Sequence, residues 1–337
     1  MIVILFSIFP ITFLIGNLFI NVFIVLFSLI YVYLLFLKKI NLNLKNKIFL
    51  ILFFFGVTLI VNLIFSNNQE LSFLRVIKFF FIIFSILLFQ YIANLENNLH
   101  TNKIFKFWSI IFIIIISDLT FEYIFGYNLL GFKSHIPGRL VSFTGSEMVI
   151  GHFFSAFCLV FLSFFYNRFP KKNNLISLLA IILIFISFLI AERSNFIKTA
   201  MMIGMFIIFI INIRFRLKVF SFILILILVS IFLNFNLYYK VRYIDQLTNM
   251  IGDQKIEKQQ YNLNLIENLK NSQYGAHYNV AYKIFKNEKL FGVGIKNFRV
   301  ESFKDKYDMP DHPHNFMRGA THPHQIHFEL LAETGIF

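Results

Sequence analysis

Charged residues and cysteine are both scarce in this chain. Charged residues make up 14% of its 337 residues, against about 25% in a soluble domain. Its one cysteine, Cys158, lies inside an apolar run, which excludes an intrachain disulfide framework and a cysteine-rich metal site. Hydrophobic residues make up 58% of the chain, including 49 phenylalanines. This composition argues against an ordinary soluble domain.

Long apolar runs dominate the sequence instead. Crossing a ~30 Å hydrocarbon core takes about 20 helical residues, and lipid leaves no water to pair an open backbone. Runs such as Leu175–Ile190 are continuous and lack the alternation of a transmembrane β-strand. Apolar segments fall at 2–15, 18–37, 48–65, 73–95, 107–126, 147–166, 175–191, 196–212 and 219–236, and a tenth begins near Ile326. We predict an all-α, polytopic transmembrane helix bundle with about nine to ten membrane segments.

The connectors between these segments predict an orientation. Lysine and arginine gather after the second, fourth, sixth and eighth segments, and the other connectors carry few of them. The positive-inside rule places the basic connectors in the cytoplasm. Residues 1–236 then form the bundle, 237–325 a large external, partly helical loop, and 326–337 the start of a further membrane helix. The formal charge of +14 is dispersed between membrane segments, so membrane lipids are expected partners and nucleic acid is not.

Histidines concentrate near the end of the chain. Five of the nine lie in residues 311–337, where the polar loop meets the last apolar segment. An unperturbed imidazole titrates near pH ~6.5, so it can accept or release a proton near neutral pH. Two His-x-His pairs could instead supply nitrogen ligands to zinc, or the tract could be a solvated loop.

The spacing around one histidine is more informative. His324 is followed by Gln325, then by nine residues and Gly335. This resembles the His-[Asn/Ser/Gln]-x9-Gly-x-x-[Gly/Thr/Tyr] motif of bacterial O-antigen ligases, which share a superfamily with O-antigen polymerases. Asn279–Phe298 is similar to the family's external-loop helix with its Phe-Gly-Val-Gly turn, and Glu192–Ala200 is similar to its arginine-containing turn.

The resemblance implies a multi-pass protein of the bacterial inner membrane, with its large loop in the periplasm. Its activity is expected to transfer a glycan from undecaprenyl diphosphate to a hydroxyl of a lipid A–core sugar or of another repeat unit. His324 would act as general base. Arg193 and Arg139 would hold the diphosphate, since guanidinium binds phosphate oxygens bidentately. This chemistry requires neither a metal nor a cofactor.

Five further residues are candidates for substrate binding. Arg75 and Lys78 lie in the predicted outer half of the fourth segment. The others lie near the histidine tract and are Gln325, Arg318 and His314. His314 stands in a similar His-Pro-His-Asn sequence, but no glycine lies ten residues after Asn315. We therefore expect His314 to be the non-catalytic counterpart of His324.

Two other functions remain open from the sequence. A polysaccharide flippase or transporter would spread charged residues along a central pathway and show two similar halves. Here polar residues gather on one predicted face, and no repeat is visible. The chain ends one residue before the last position of the ligase motif, so we expect a fragment of a longer protein. A truncated, inactive assembly component is the remaining alternative.

Overall fold

The regular elements of the chain are helical. The computed structural model describes residues 2–40, 46–95, 99–147, 149–245 and 265–336, and these residues contain no strand. The α-helices are α1 (Ile2–Ile15), α2 (Asn17–Phe36), α3 (Lys47–Ile64), α4 (Gln69–Ala93), α5 (Leu99–Phe125), α6 (Ile150–Arg168), α7 (Asn173–Leu189), α8 (Arg193–Met205), α9 (Phe215–Phe235), α10 (Leu237–Lys240), α11 (Leu265–Asn271), α12 (Gln273–Asn287), α13 (Phe298–Glu301) and α14 (Ile326–Thr334). Short 3-10 or π-helical turns lie at Ser142–Glu147, Phe206–Ile210, Val241–Asp245, Asp305–Tyr307 and Asn315–Met317.

Seven helices among the described residues are long and apolar enough to cross a membrane. They are α2, α3, α4, α5, α6, α9 and α8 with its π-helical extension to Ile210. The predicted segments 2–15 and 175–191 form helices of 14 and 17 residues, shorter than the other seven. The all-helical, multi-pass prediction is confirmed, whereas the count of nine to ten segments is not. The orientation of the helices stays a prediction.

The chain divides into two compact units that interleave along the sequence. The first unit contains Met1–Phe23 and Gln90–Gln246, and the second contains Ile24–Phe89 and Leu247–Phe337. The predicted boundaries at residues 236 and 325 separate membrane segments from an external loop, which is a different division from these compact units. Those boundaries stay a prediction. Most of the predicted polar stretch 245–273 lies outside the described residues, and α11 forms the described part of it.

The core of the first unit is built from aromatic side chains on α5, α6 and α7. Phe112 of α5 is fully buried, and its ring centroid lies 5.0 Å from that of Phe154 and 5.1 Å from that of Phe161, both on α6. Offset or tilted ring pairs at these separations contribute beyond their burial. This core holds α5, α6 and α7 together, and the ends of these helices carry polar side chains.

The core of the second unit lies where α12 packs against α14. Val280, Ala281 and Ile284 of α12 are fully buried, at the helical spacing that the sequence predicts for this segment. Tyr278 of α12 stacks on Phe328 of α14 with a centroid separation of 4.8 Å. The two helices therefore form one platform, and the histidine-rich segment leads directly into α14.

Candidate functional site

The segment that enters α14 explains the spacing of the histidine motif. Gln325 is the N-cap of α14, and its side-chain Oε1 accepts a hydrogen bond from the Phe328 backbone N–H at 2.9 Å. Gly335 is the C-cap. The nine residues between them are the nine residues of the helix. Gln325 therefore has a structural role as the cap of this helix. Its role in substrate binding stays a prediction.

His324 precedes this cap in a backbone conformation that side chains seldom adopt. Its φ of 58° lies in the left-handed region, where a residue other than glycine is strained. Such strain persists only where the surroundings hold it, and it concentrates at functional sites. The imidazole of His324 is exposed. The structure thus presents this side chain at the start of a helix that is capped at both ends.

Two other histidines lie beside His324, and we call His277, His322 and His324 the histidine cluster. The ring centroid of His324 lies 4.3 Å from that of His322 and 5.4 Å from that of His277. Tyr274 packs edge-on against the His324 ring at 5.7 Å. Although His324 is exposed overall, partial desolvation of its ring, then the neighbouring His322 and His277, lowers the pKa of His324 below its ordinary value. At neutral pH the imidazole is therefore free to accept a proton.

The buried member of the histidine cluster belongs to α12. His277 is 2% exposed, and its Nδ1 lies 3.3 Å from the backbone carbonyl oxygen of Arg318. Burial lowers the pKa of His277 more than the contact with Arg318 raises it. The sequence analysis did not assign His277 to the site, because it lies 47 positions before His324 and only the packing of α12 brings it there.

Backbone hydrogen bonds attach α14 to the Phe291–Gly294 turn. The N–H groups of Val293 and Gly294 donate to the carbonyl oxygens of Ala332 and Glu333, at 3.1 and 2.9 Å. The buried side chain of Asn62 on α3 bonds to both backbone segments of this contact. Its Nδ2 donates to the Glu333 carbonyl oxygen at 2.9 Å, and its Oδ1 accepts from the Ile295 N–H at 2.9 Å. The helix behind His324 is therefore fixed through its main chain.

Gly335 is required at the end of α14 for two reasons. Its φ of 67° and ψ of −143° lie in a region that side-chain-bearing residues seldom adopt, at a cost of about 1–3 kcal/mol. A Cβ at this position would also lie 2.5 Å from the Lys289 carbonyl oxygen, inside van der Waals contact. The glycine of the motif thus allows the C-terminal end of α14 to approach the Lys289–Leu290 backbone.

The side chains of Arg318 and His314 contact groups other than the His324 ring, although the Arg318 carbonyl oxygen contacts His277. The guanidinium of Arg318 pairs with Asp308 at 3.2 Å and with Asp305 at 3.9 Å. The ring of His314 lies 6.4 Å from His312 and 6.2 Å from Phe316. The structure therefore brings His277 to His324, and not His314.

A cavity of about 310 Å³ adjoins this region within the second unit. Thr321 and Ile326, which flank the segment 322–325, both line it. Its apolar lining includes Phe55, Leu59 and Phe79 of α3 and α4, and its polar lining includes the cations Arg75, Lys296 and Arg299 and the carboxylates Glu329 and Glu333. Arg75 also lies over the Phe79 ring at 5.2 Å. Lys78 is half-buried on the same helix and is not among the lining residues.

The first unit carries a different polar site, centred on Glu192. The Oε1 atom of Glu192 lies 2.6 Å from Nη2 of Arg139, and both side chains are largely buried. Asn195 of α8 donates to the other carboxylate oxygen, and the Gly151 N–H at the start of α6 points to Oε1 at 3.4 Å. A Cβ on Gly151 would overlap the Glu192 carboxylate. The glycine therefore makes room for this buried anion.

The segment after α9 clamps the end of α7 and adds a third arginine. Tyr243 and Tyr239 donate from their hydroxyls to the carbonyl oxygens of Phe188 and Leu189, at 2.8 and 2.9 Å. Arg242 donates through Nε to the Ala191 carbonyl oxygen at 3.0 Å. The last carbonyls of a helix have no partner within it, and these side chains satisfy them.

Arg139, Arg193 and Arg242 form what we call the arginine cluster. Arg193 is the first residue of α8. Burial, followed by the positive charges of Arg139 and Arg193, lowers the pKa of Arg242 from its ordinary value. Guanidinium groups stay protonated in proteins, so three positive charges lie around Glu192. The sequence analysis missed Arg242, although the aromatic and basic residues at 238–243 are typical of a membrane boundary.

Two buried carboxylates of α5 hold the loop that carries Arg139. Glu122 accepts from the Val141 and Ser142 N–H groups at 3.0 and 2.7 Å, and Asp118 accepts from the Ser142 hydroxyl at 2.5 Å. Both carboxylates are at most 3% exposed. The sequence analysis overlooked them, although ionisable residues inside an apolar segment signal a functional or supporting role.

The described residues contain no three His, Cys, Asp or Glu side chains placed to hold one metal ion. The zinc alternative from the sequence therefore gains no geometric support in this part of the chain.

One comparison with known proteins gives a match. A family model described as O-antigen ligase matches residues 178–337, which include the histidine cluster, Arg193 and Arg242. Arg139 and Arg75 lie before the matched range. No curated protein and no solved structure matches the chain.

Proposed function

We infer that this chain, a member of the O-antigen ligase and polymerase superfamily, transfers a glycan from a polyprenyl diphosphate to an acceptor hydroxyl. The family supports an O-antigen ligase-like role in polysaccharide biosynthesis by a multi-pass membrane protein. The observation that carries the finer proposal is His324, an exposed residue in strained backbone whose pKa is lowered by partial desolvation and by the neighbouring histidines. We assign the reaction to the periplasmic face of the bacterial inner membrane.

His324 acts as the general base in this proposal. Its neutral imidazole accepts the proton of the acceptor hydroxyl as the hydroxyl oxygen bonds to the anomeric carbon of the glycan. The bond from that carbon to the diphosphate oxygen breaks, and the polyprenyl diphosphate leaves with the bonding electrons. A positioned general base contributes typically ~10²–10⁴-fold to such a step. The capped helix and its backbone contacts hold the imidazole in one position, which supports this role.

The arginine cluster stabilises the leaving diphosphate. The negative charge of a diphosphate grows as the bond to the glycan breaks, and guanidinium forks bind its oxygens bidentately. Glu192 neutralises one of the three arginines, so the cluster retains a net positive charge for an anion. Fixed guanidiniums supply the charge that a divalent cation supplies elsewhere, and we propose that transfer is independent of metal.

The cavity beside Thr321 and Ile326 is proposed to bind substrate groups next to the base. Its apolar wall suits the face of a sugar ring, and its cations suit phosphate or carboxylate groups of a glycan. Arg75 is the residue of this cavity that the sequence predicts for substrate binding. The acceptor is a lipid A–core sugar or the terminal sugar of another repeat unit.

The test is a transfer assay with purified full-length chain in proteoliposomes, without a membrane gradient. Wild-type protein is expected to move glycan from its undecaprenyl-diphosphate carrier to one of the two acceptors, with EDTA present. His324→Ala is expected to lose transfer, and His314→Ala is the matched control that keeps it. Transfer by His324→Ala at the wild-type rate would show that His324 is not the general base. Absence of transfer together with movement of intact donor across the membrane would favour a flippase.

A further inference from the structure

A long groove lies between α5 and α6 of the first unit. It has a volume of about 970 Å³. The first half of α5 and the second half of α6 line it, so the two helices run antiparallel along it. Its apolar lining includes Phe105, Ile110, Leu159 and Phe165. The groove is mainly apolar along its length and basic at one end.

One face of α5 runs from basic to apolar along the groove. Lys103, Lys106, Ser109 and Ile113 all line it, at steps of three or four residues. Residues at these steps lie above one another on a helix. Both lysine side chains are exposed, and among the described residues neither one has an ion-pair partner. The face therefore offers two positive charges, then a hydroxyl, then hydrocarbon.

The facing side of α6 shows the same gradient. Arg168, Phe164 and Val160 line the groove at four-residue steps from the C-terminal end of the helix. Arg168 is exposed and belongs to the same basic end as Lys103. Two antiparallel helices thus contribute three positive charges to one end of an apolar channel.

Ser109 gives an independent sign that the groove takes a ligand. Its side chain is 3% exposed, and no described residue offers its hydroxyl a hydrogen-bond partner. An unpaired buried hydroxyl costs roughly 1–3 kcal/mol. A serine in a helix commonly bonds a carbonyl one turn back, and Ser109 does not. It lines the groove one turn beyond Lys106.

We propose that this groove binds an anionic phospholipid. The phosphate lies between Lys103, Lys106 and Arg168, an ester oxygen pairs with Ser109, and an acyl chain follows the apolar walls. Basic pockets between membrane helices on the cytoplasmic side bind anionic lipid headgroups in this way. A free phosphate would leave the apolar length of the groove empty, so the lipid accounts for both ends.

This groove is distinct from the arginine cluster. Gly151, which contacts Glu192, stands at the start of α6, and Arg168 stands at its end. Seventeen residues of helix separate them, or about 25 Å. The three basic residues also lie at the ends of α5 and α6 that the positive-inside rule assigns to the cytoplasm. A lipid of the cytoplasmic leaflet therefore occupies the groove, and the proposed glycan donor does not.

The test measures lipid binding by the full chain in detergent, with phosphatidylglycerol and with phosphatidylcholine of the same acyl chains. Wild-type protein is expected to prefer phosphatidylglycerol. The triple variant Lys103→Gln, Lys106→Gln, Arg168→Gln is expected to lose about fivefold in affinity per charge, about 100-fold in total. The matched control is Arg214→Gln, Arg216→Gln, Lys218→Gln, which removes three charges from around the start of α9 and keeps the preference.

A second variant distinguishes a lipid from its headgroup. Ile113→Trp narrows the apolar part of the groove and leaves the three charges intact, so it is expected to weaken phosphatidylglycerol binding. Inorganic phosphate at equal concentration is expected not to compete. Equal binding by wild-type and the charge-removing triple variant would overturn the proposal. So would an equal loss in the control triple, or displacement of the lipid by phosphate alone.

Discussion

The histidine cluster of the second unit and the arginine cluster of the first unit are held in different ways. The helix after His324 is fixed by main-chain hydrogen bonds, by Asn62 and by a C-terminal glycine, and the imidazole itself is exposed. The arginines are held by side chains, through the buried carboxylate of Glu192 and the tyrosines that clamp α7. A group that moves a proton needs access, whereas charges that stabilise an anion need fixed positions.

This difference predicts where each cluster is fragile. The position of the histidine cluster depends on backbone geometry, so replacing a glycine is expected to disturb it. The arginine cluster depends on charge balance, so removing a single charge is expected to disturb it. Five substitutions test the contrast in four predictions, and their expected effects fall from the first prediction to the last.

Glu192→Gln is expected to have the largest effect. Removing the charge of one partner in a buried ion pair costs about 3–5 kcal/mol, because Arg139 keeps a charge that is mostly out of water. We expect a lower unfolding temperature in detergent, measured by tryptophan fluorescence or calorimetry. Glu288→Gln is the matched control, since the Glu288 side chain is exposed. Equal unfolding temperatures for the two variants would show that Glu192 does not stabilise the first unit.

Arg193→Ala and Arg242→Ala are expected to weaken binding of the lipid-linked diphosphate by about 10–100-fold each. A hydrogen bond to a charged group is worth about 1.5–3 kcal/mol. Donor affinity in detergent is the measurement, and Arg216→Ala, an exposed arginine on another connector, is the control. A loss with Arg193→Ala and none with Arg242→Ala would exclude Arg242 from the diphosphate site and leave it as a clamp on α7.

Gly335→Ala is expected to cost more stability than a glycine replacement that only strains the backbone. Gly131 is the matched control, with a φ of 83° and nothing within 4 Å of an added Cβ. Both replacements put a side chain at positive φ, at a cost of about 1–3 kcal/mol. Only Gly335 adds the overlap with the Lys289 carbonyl oxygen. Thermal unfolding compares the two, and equal losses would mean that α14 tolerates a shift there.

His322→Ala is expected to have the smallest effect, a change in the pH dependence of transfer. The general base acts when unprotonated, so the rate falls as pH drops through the pKa of His324. That pKa lies below the ordinary 6.5 because of burial, then His322 and His277. Removing His322 raises it, and the acid side of the rate profile moves to higher pH. His327→Ala is the control. Identical pH profiles for His322→Ala and wild-type would show that His322 does not lower the pKa of His324.

The sequence by itself determined the class of fold and singled out one local part of the candidate site. Apolar runs long enough to cross a bilayer leave the backbone no alternative to helices, so the all-helical membrane prediction depends on no tertiary contact. The His324–Gly335 spacing is equally local, because it is the length of one capped helix. Local geometry of this kind is written in consecutive residues, and a motif can therefore reveal it.

Tertiary structure alone decided which distant residues join these local elements. Arg139, Arg193 and Arg242 come from three connectors about fifty residues apart, and only the packing of α6, α7 and α8 with the segment after α9 brings their charges together. His277 reaches His324 because α12 packs on α14, and His314 does not. The energy of a charge or an imidazole depends on its neighbours in space, and a linear sequence does not state them.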